Sequence, residues 1–277
     1  MDLFWRDLSF MVNFMDNSRM NKRSYWDIFC KVIDNFGDIG VCWRLCTDLA
    51  SRGYSIRLWV DDASALKWMA PEACEGVKLI DWSQPTSIES ILQLISQQAM
   101  PSVIVEAFGC EPEPGYLDLL QAKCQANPAI NSPFWINLEY LSAEKYVEKC
   151  HGLSSPTQQY PLLSQRKYFY YPGYTVLTGG LLRNPQELQQ LEKLNQQEWL
   201  NSKNIPVPAH QEHIFVSLFC YKNAPLDSLL DFLTQRTYPS TLLVTECVGA
   251  VTLQNLVENH YSKSMCLLNI QYLPRMS

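Results

Sequence analysis

The sequence predicts an α/β protein with parallel sheets, arranged as two successive units of which the second is incomplete. Three observations predict it. Short apolar runs alternate with segments whose apolar residues recur at helical spacing, the order that parallel strands joined by crossover helices require. Gly, Asp, Asn and Pro punctuate the runs. The alternation lapses once, between His151 and Tyr174, and then resumes.

Residues 1–23 mix Phe, Met, Asp and Arg without a sustained period, so they read as an N-terminal extension with Met20 as a candidate natural start. From Trp26 to Ile33 the text is a buried strand, Asp34 to Gly40 a Gly-containing turn, and Val41 to Arg52 a helix that Gly53 caps. Strand, glycine turn and helix in that order open a Rossmann-like unit. Ser55 to Val60 is the next strand, ending at Asp61-Asp62; Val77 to Ile80 and Val103 to Val105 are further short buried strands. Ile88, Ile91, Leu92 and Ile95 carry a helix between them, and a helix from Tyr116 to about Gln125 precedes the strand Phe134 to Leu138. The Ser-, Pro-, Gln- and Tyr-rich stretch from His151 to Tyr174 reads as an interdomain connection, dividing the chain into units 24–176 and 177–277.

The second unit begins with a Gln/Glu/Leu-rich helix from Pro185 to about Asn201, its start marked by Asn184 and Pro185. Strand His213 to Phe219, helix Leu226 to Thr234, strand Thr241 to Thr245, helix Val251 to Asn259 and strand Met265 to Tyr272 follow. A doubly wound sheet usually has about five or six strands, so three imply a unit that leans on its neighbour or a truncated chain. The strand-like ending Cys266 to Leu273 favours truncation.

Composition narrows the function classes. With 277 residues, 47% apolar and 18% charged, the chain is neither a disordered tail nor a fibre. A net charge of −6 from 22 Lys+Arg and 28 Asp+Glu argues against non-specific nucleic-acid binding, which needs a basic face. Ten cysteines lie scattered in apolar segments and never as C-x-x-C, which points to a reducing cytoplasm rather than a zinc knuckle or disulfide framework. No apolar run approaches the roughly 20 residues of a membrane span, and Asp2, Arg6, Asp7 and Asp16 interrupt any signal-peptide core. A cytoplasmic protein without membrane or nucleic-acid partners is expected.

The sharpest local signal is the turn Asp34-Asn35-Phe36-Gly37-Asp38-Ile39-Gly40. It places two carboxylates four residues apart at the carboxyl end of a first strand, where open α/β sheets bind ligands, and its glycines let backbone approach a phosphate. It is not G-x-G-x-x-G. Carboxylates repel phosphate, so Asp34 and Asp38 suit a cationic or proton-bearing acceptor, as bases or guanidinium clamps; the same spacing also fits helix capping. Glu106 follows another buried strand toward the same rim, as a capping or a catalytic carboxylate, and Asn137 and Glu139 end a third, available for a ligand or a structural hydrogen bond. Phe219 and Tyr221 share one side of an extended chain. They are either core or a nucleobase platform, with stacking contributing about 1–3 kcal/mol per base. Gly179-Gly180 is a hinge or a close phosphate approach. His210 and His213 lack a third ligand, so no metal is expected, and Cys42 and Cys46 read as small core residues. No Ser-His-Asp order, Walker loop or H-E-x-x-H occurs.

Several phrases together resemble one family: Trp26-Asp27-Ile28-Phe29-Cys30-Lys31-Val32-Ile33-Asp34-Asn35-Phe36-Gly37-Asp38-Ile39-Gly40, Leu58-Trp59-Val60-Asp61-Asp62, Trp135-Ile136-Asn137-Leu138-Glu139-Tyr140-Leu141-Ser142, and Tyr171-Pro172-Gly173-Tyr174 with Thr178-Gly179-Gly180-Leu181-Leu182-Arg183. The family is the bacterial protein-arginine rhamnosyltransferases that modify elongation factor P, and the likeness runs from about residue 25 to 273. It implies an inverting GT-B glycosyltransferase with two Rossmann-like domains facing a cleft, dTDP-β-L-rhamnose as donor, an arginine of elongation factor P as acceptor, and no metal or other cofactor. By the resemblance Asp38 is the general base and Asp34 its partner, Asn35, Phe36, Gly37 and Asp38 form the donor loop, and Phe219 and Tyr221 stack the nucleotide. The family continues into an Arg-Gly-Glu-Asp-Ser motif, whereas this sequence stops at Leu273-Pro274-Arg275-Met276-Ser277. As written, the chain is therefore expected to bind donor weakly and to be inactive or nearly so, with a non-catalytic elongation factor P binding protein as the alternative. An epimerase-like enzyme is disfavoured because the dinucleotide fingerprint is absent.

Overall fold

The computed structural model describes residues 25–33, 36–83, 99–182, 185–206, 213–245, 248–261 and 268–273, with 89, 90, 92, 93, 95 and 97. The extension 1–23 with Met20 lies outside the described residues, as do Asp34, Asn35, Ile88, Ile91, Asn184, His210, Met265, Cys266 and 274–277. Two compact units result, Met1–Leu188 and Gln189–Ser277, a boundary about a dozen residues beyond the one that composition marked.

The first unit contains β1 (Tyr25–Cys30), α1 (Gly37–Ser51), β2 (Ser55–Val60), α2 (Leu66–Met69), β3 (Val77–Asp81), β4 (Pro101–Ala107), α3 (Pro114–Ala126), β5 (Phe134–Leu138), α4 (Val147–Cys150), β6 (Ser154–Pro156) and β7 (Arg166–Tyr170). These strands form one sheet in the order β3-β2-β1-β4-β5-β7-β6, parallel except for β6 against β7. Its two faces follow from the two-residue period of a strand. Trp26, Ile28 and Cys30 point to one face and pack with Ile39, Cys42, Leu45, Cys46 and Leu49 of α1, whose spacing makes one helical stripe. Phe29, Trp59, Ile104 and Trp135 point to the other, against Tyr116 and Leu120 of α3. Gly53, at φ +90°, ends α1 as expected, its amide donating to Ala50 O while Tyr54 N donates to Leu49 O.

The stretch 151–174 is not a connection. It supplies β6 and β7, and β7 pairs with β5 through Trp135↔Lys167 to Leu138↔Tyr170. Its strand character rests on aromatic rings rather than Val, Ile or Leu: Tyr168 stacks on Phe134 with centroids 4.7 Å apart, and Tyr170 is buried. The helix expected from Pro185 to Asn201 is two helices, α5 (Pro185–Lys193) and α6 (Gln196–Ser202). Asn195 divides them because its Oδ1 accepts from the Gln197 and Glu198 amides, an N-cap that competes with helix continuation.

The second unit holds α6, β8 (Ile214–Leu218), α7 (Leu226–Thr234), β9 (Ser240–Thr245), α8 (Val248–Leu256) with a π-turn Val257–Tyr261, and β10 (Leu268–Leu273). Among the described residues its sheet is three parallel strands in the order β10-β9-β8. Leu226, Leu230 and Leu233 of α7 and Leu253 of α8 cover one face. Leu200 of α6 packs with Leu243 and Leu273 on the other.

Candidate active site

The neighbours of β1 are β2 and β4, so successive crossovers leave in opposite directions from that pair. Loops after β1 and β4 therefore part, opening the crevice at the carboxyl ends where such sheets take ligands. Asp38 lies there, in the first turn of α1, where the helix dipole favours a carboxylate. It does not cap α1. Its Oδ2 accepts from the Ile33 amide at 2.9 Å, while Asp61, at the end of β2, accepts from the Val32 amide at 2.8 Å. Two carboxylates thus hold consecutive amides of the segment leading to Asp34.

The loops after β4 and β5 complete the rim. Asp38 is 1% exposed, and the Tyr140 hydroxyl donates to its Oδ1 at 3.1 Å. The Tyr140 ring lies on Phe108, with centroids 4.2 Å apart and planes 13° from parallel. Phe108 has φ +58°, a left-handed conformation that costs a side-chain-bearing residue about 1–2 kcal/mol. Its amide donates to Leu138 O at 2.7 Å, fastening the strained turn to β5. Asn137, buried, donates to Glu139 Oε1, so these two residues take the structural role that the sequence left open.

Glu106 does not share the rim with Asp38. Its even position in β4 turns it to the α3 face, where Oε1 accepts from Trp135 Nε1 at 2.9 Å and Oε2 from Lys167 Nζ at 2.8 Å. Together with Tyr160 these residues line a cavity of about 270 Å³. Burial pushes the Glu106 carboxyl up, and the Lys167 ammonium only partly offsets it. Deeper on the same face, Arg57 and Tyr116 both donate to Asp27, and Arg57 Nη2 to Asp27 Oδ2 measures 2.7 Å. Burial opposes the Arg57 charge, but the Asp27 carboxylate outweighs it and raises the guanidinium's pKa.

Other sequence-marked residues separate clearly. Phe36 packs edge-on against Trp68, and Gly37 opens α1. At Gly40 a Cβ would lie 3.0 Å from Met69 Cε, so α1 passes close to α2 there. Gly179 packs directly on Tyr170: a Cβ would meet the ring at 2.4 Å, and the Tyr170 hydroxyl donates to Gly179 O. In the second unit, Phe219 and Tyr221 are 56% and 55% exposed just beyond β8, their rings edge-on at 6.4 Å. Neither is core. His213 bonds Thr241 Oγ1 at 2.9 Å, and among the described residues no group of three or more His, Cys, Asp and Glu is placed to hold a metal. Cys42 and Cys46 are core residues; the Cys42 thiol is raised by its contact with Cys30 and by burial, and the Cys46 thiol by burial. Tyr140, Phe108 and Asp61 were not singled out as functional from the sequence. Only the position of each just after a buried strand could have marked it.

A mostly parallel sheet with a buried carboxylate at its switch point defines an α/β protein of the class whose sheets place ligand sites at the carboxyl ends of their strands. The chain belongs to the Elongation-Factor P (EF-P) rhamnosyltransferase EarP family, whose model matches residues 26–277. It is 37% identical over 228 residues to a protein-arginine rhamnosyltransferase of Pseudomonas putida, covering 81% of this chain and 58% of that protein. A Neisseria meningitidis protein-arginine rhamnosyltransferase is 30% identical over 264 residues, 90% of this chain and 64% of its own. A solved structure described as the basis for EarP-mediated arginine glycosylation of translation elongation factor EF-P aligns with 92% of this chain and 62% of its own, at 24% identity and a TM-score of 0.49. The chain thus spans about three fifths of the length of these relatives.

Proposed function

We propose that the protein is an inverting GT-B glycosyltransferase that moves L-rhamnose from dTDP-β-L-rhamnose to one arginine side chain of EF-P in the cytoplasm. The observation that carries the reading is the family match over residues 26–277, together with the position of Asp38 at the carboxyl end of β1. An arginine side chain has a pKa above about 12, so its nitrogen becomes nucleophilic only when held beside a carboxylate that takes a proton as the bond forms. Asp38 is that base and Asp34 its partner on the guanidinium. The nitrogen attacks the anomeric carbon, the C–N bond forms as the C–O bond to diphosphate breaks, the N–H proton passes to Asp38, and dTDP leaves with the electron pair. A single displacement of this kind inverts the anomeric centre. Asn35, Phe36 and Gly37 belong to the donor loop, and the exposed rings of Phe219 and Tyr221 offer the thymine a stacking surface. Helix N-termini and hydroxyl or cationic side chains suffice to stabilise the leaving diphosphate, so the scheme invokes no metal.

The test mixes the chain with EF-P and dTDP-β-L-rhamnose and reads the intact mass of EF-P. A gain of one deoxyhexose on a single arginine supports the reading. Little or no mass gain with dTDP-β-L-rhamnose bound marks an impaired transferase, and a stable EF-P complex without donor binding marks a non-catalytic EF-P binding protein instead.

A further inference from the structure

We propose that the cavity of about 270 Å³ on the α3 face of the first sheet is a second ligand site, taking a neutral molecule with adjacent hydroxyls and the size of one sugar ring. The transfer chemistry above does not use it, since α1, which carries Asp38, packs on the opposite face of that sheet.

The backbone builds the cavity in advance. Glu106 of β4, Trp135 of β5 and Lys167 of β7 line it from three neighbouring strands. Its walls are the start of α3 and the turn after β6, where Pro112, Pro114 and Pro156 have fixed φ angles. The volume lies near the lower end of small-molecule sites, roughly 300–1,000 Å³. Charge then selects the occupant. Buried Glu106 is paired with Lys167 at 2.8 Å, and Glu111 also lines the cavity. Burial is the main reason the Glu106 carboxyl is pushed up, and the Glu111 charge adds to it. An anion would thus meet two carboxylates against one ammonium. A cation would compete with Lys167 for Glu106, and breaking a buried pair strands a charge. Two adjacent hydroxyls do neither. One accepts from Lys167 Nζ, which has three protons and gives one to Glu106, while the other donates to a Glu106 oxygen. Each of those oxygens accepts one bond among the described residues, and each has a second lone pair. The C–H groups of such a ring lie against the prolines, and the exposed Gln158 and Gln159 at the lip offer it further donors and acceptors.

The experiment is an NMR titration of the full chain with methyl α-D-mannopyranoside, myo-inositol, sodium acetate and methylammonium chloride, each separately. It follows the indole N–H signal of Trp135, whose proton Glu106 holds. At least one of the two neutral polyols should shift that signal saturably with a Kd of about 1 mM, and both charged probes should bind at least about tenfold more weakly. Gln159→Trp, a change at the exposed lip that fills the mouth, should weaken polyol binding at least about tenfold, and Glu106→Gln should do the same by removing the charged acceptor. Should Glu106→Gln fail to fold, Gln159→Trp decides alone. No shift with either polyol up to about 50 mM, tighter binding of acetate or methylammonium, or an affinity unchanged in Gln159→Trp overturns the proposal. Polyol binding that Asp38→Asn abolishes and Gln159→Trp leaves intact would put the sugar at the transfer site, and would overturn it too.

Discussion

Glu106 shows how one side chain changes meaning once its strand face is known. Buried between Trp135 and Lys167, its carboxyl binds a proton more readily in the folded protein than at the ordinary value of 4.5. The folded state therefore holds more protons than the unfolded chain across that window, and the stability this contributes is lost as pH rises through the raised value. The melting temperature of the wild type relative to Glu106→Gln should be highest near pH 4 and decline toward neutrality, an outcome that thermal denaturation across about pH 4–7 reads directly. A wild-type advantage that grows with pH would contradict it. The Asp38 turn was legible because carboxylates and glycines between a strand and a helix are themselves a pattern. Tyr140 was not, since 102 residues separate it from Asp38 and no spacing links them. Phe108 escaped for a related reason: nothing about Phe announces a left-handed backbone, although its neighbour Gly109, at φ +72°, continues the same turn.

At the scale of elements, the central strands could be read because they are apolar on both faces, as burial between α1 and α3 demands. β7 was missed because it is built from Lys and aromatic residues at the sheet margin, and the break at Asn195 because its cap competes inside an otherwise helical text. The Asp27, Arg57 and Tyr116 network ties β1, β2 and α3 together in the core of the first unit. Removing one partner of a buried pair strands the other charge. Arg57→Met should thus lower unfolding stability by about 3–5 kcal/mol in urea titrations. Adding Asp27→Asn should recover part of that loss, because a neutral amide still accepts from Tyr116. A loss under about 1 kcal/mol for Arg57→Met would show that the network contributes little.

For the molecule as a whole, composition and alternation sufficed to foresee parallel α/β units, while the acceptor chemistry proposed above was suggested first by the two carboxylates of the Asp34–Asp38 turn and then by the family phrases. Among the described residues no helix is long and apolar enough to cross a membrane. The central claim is that Asp38 takes the proton from the acceptor arginine, and the rate of deoxyhexose addition to EF-P by Asp38→Asn at saturating donor tests it most directly. With the melting temperature retained, the account predicts a fall of at least about a hundredfold, as befits loss of a general base. Transfer within about twofold of the wild-type rate would contradict it.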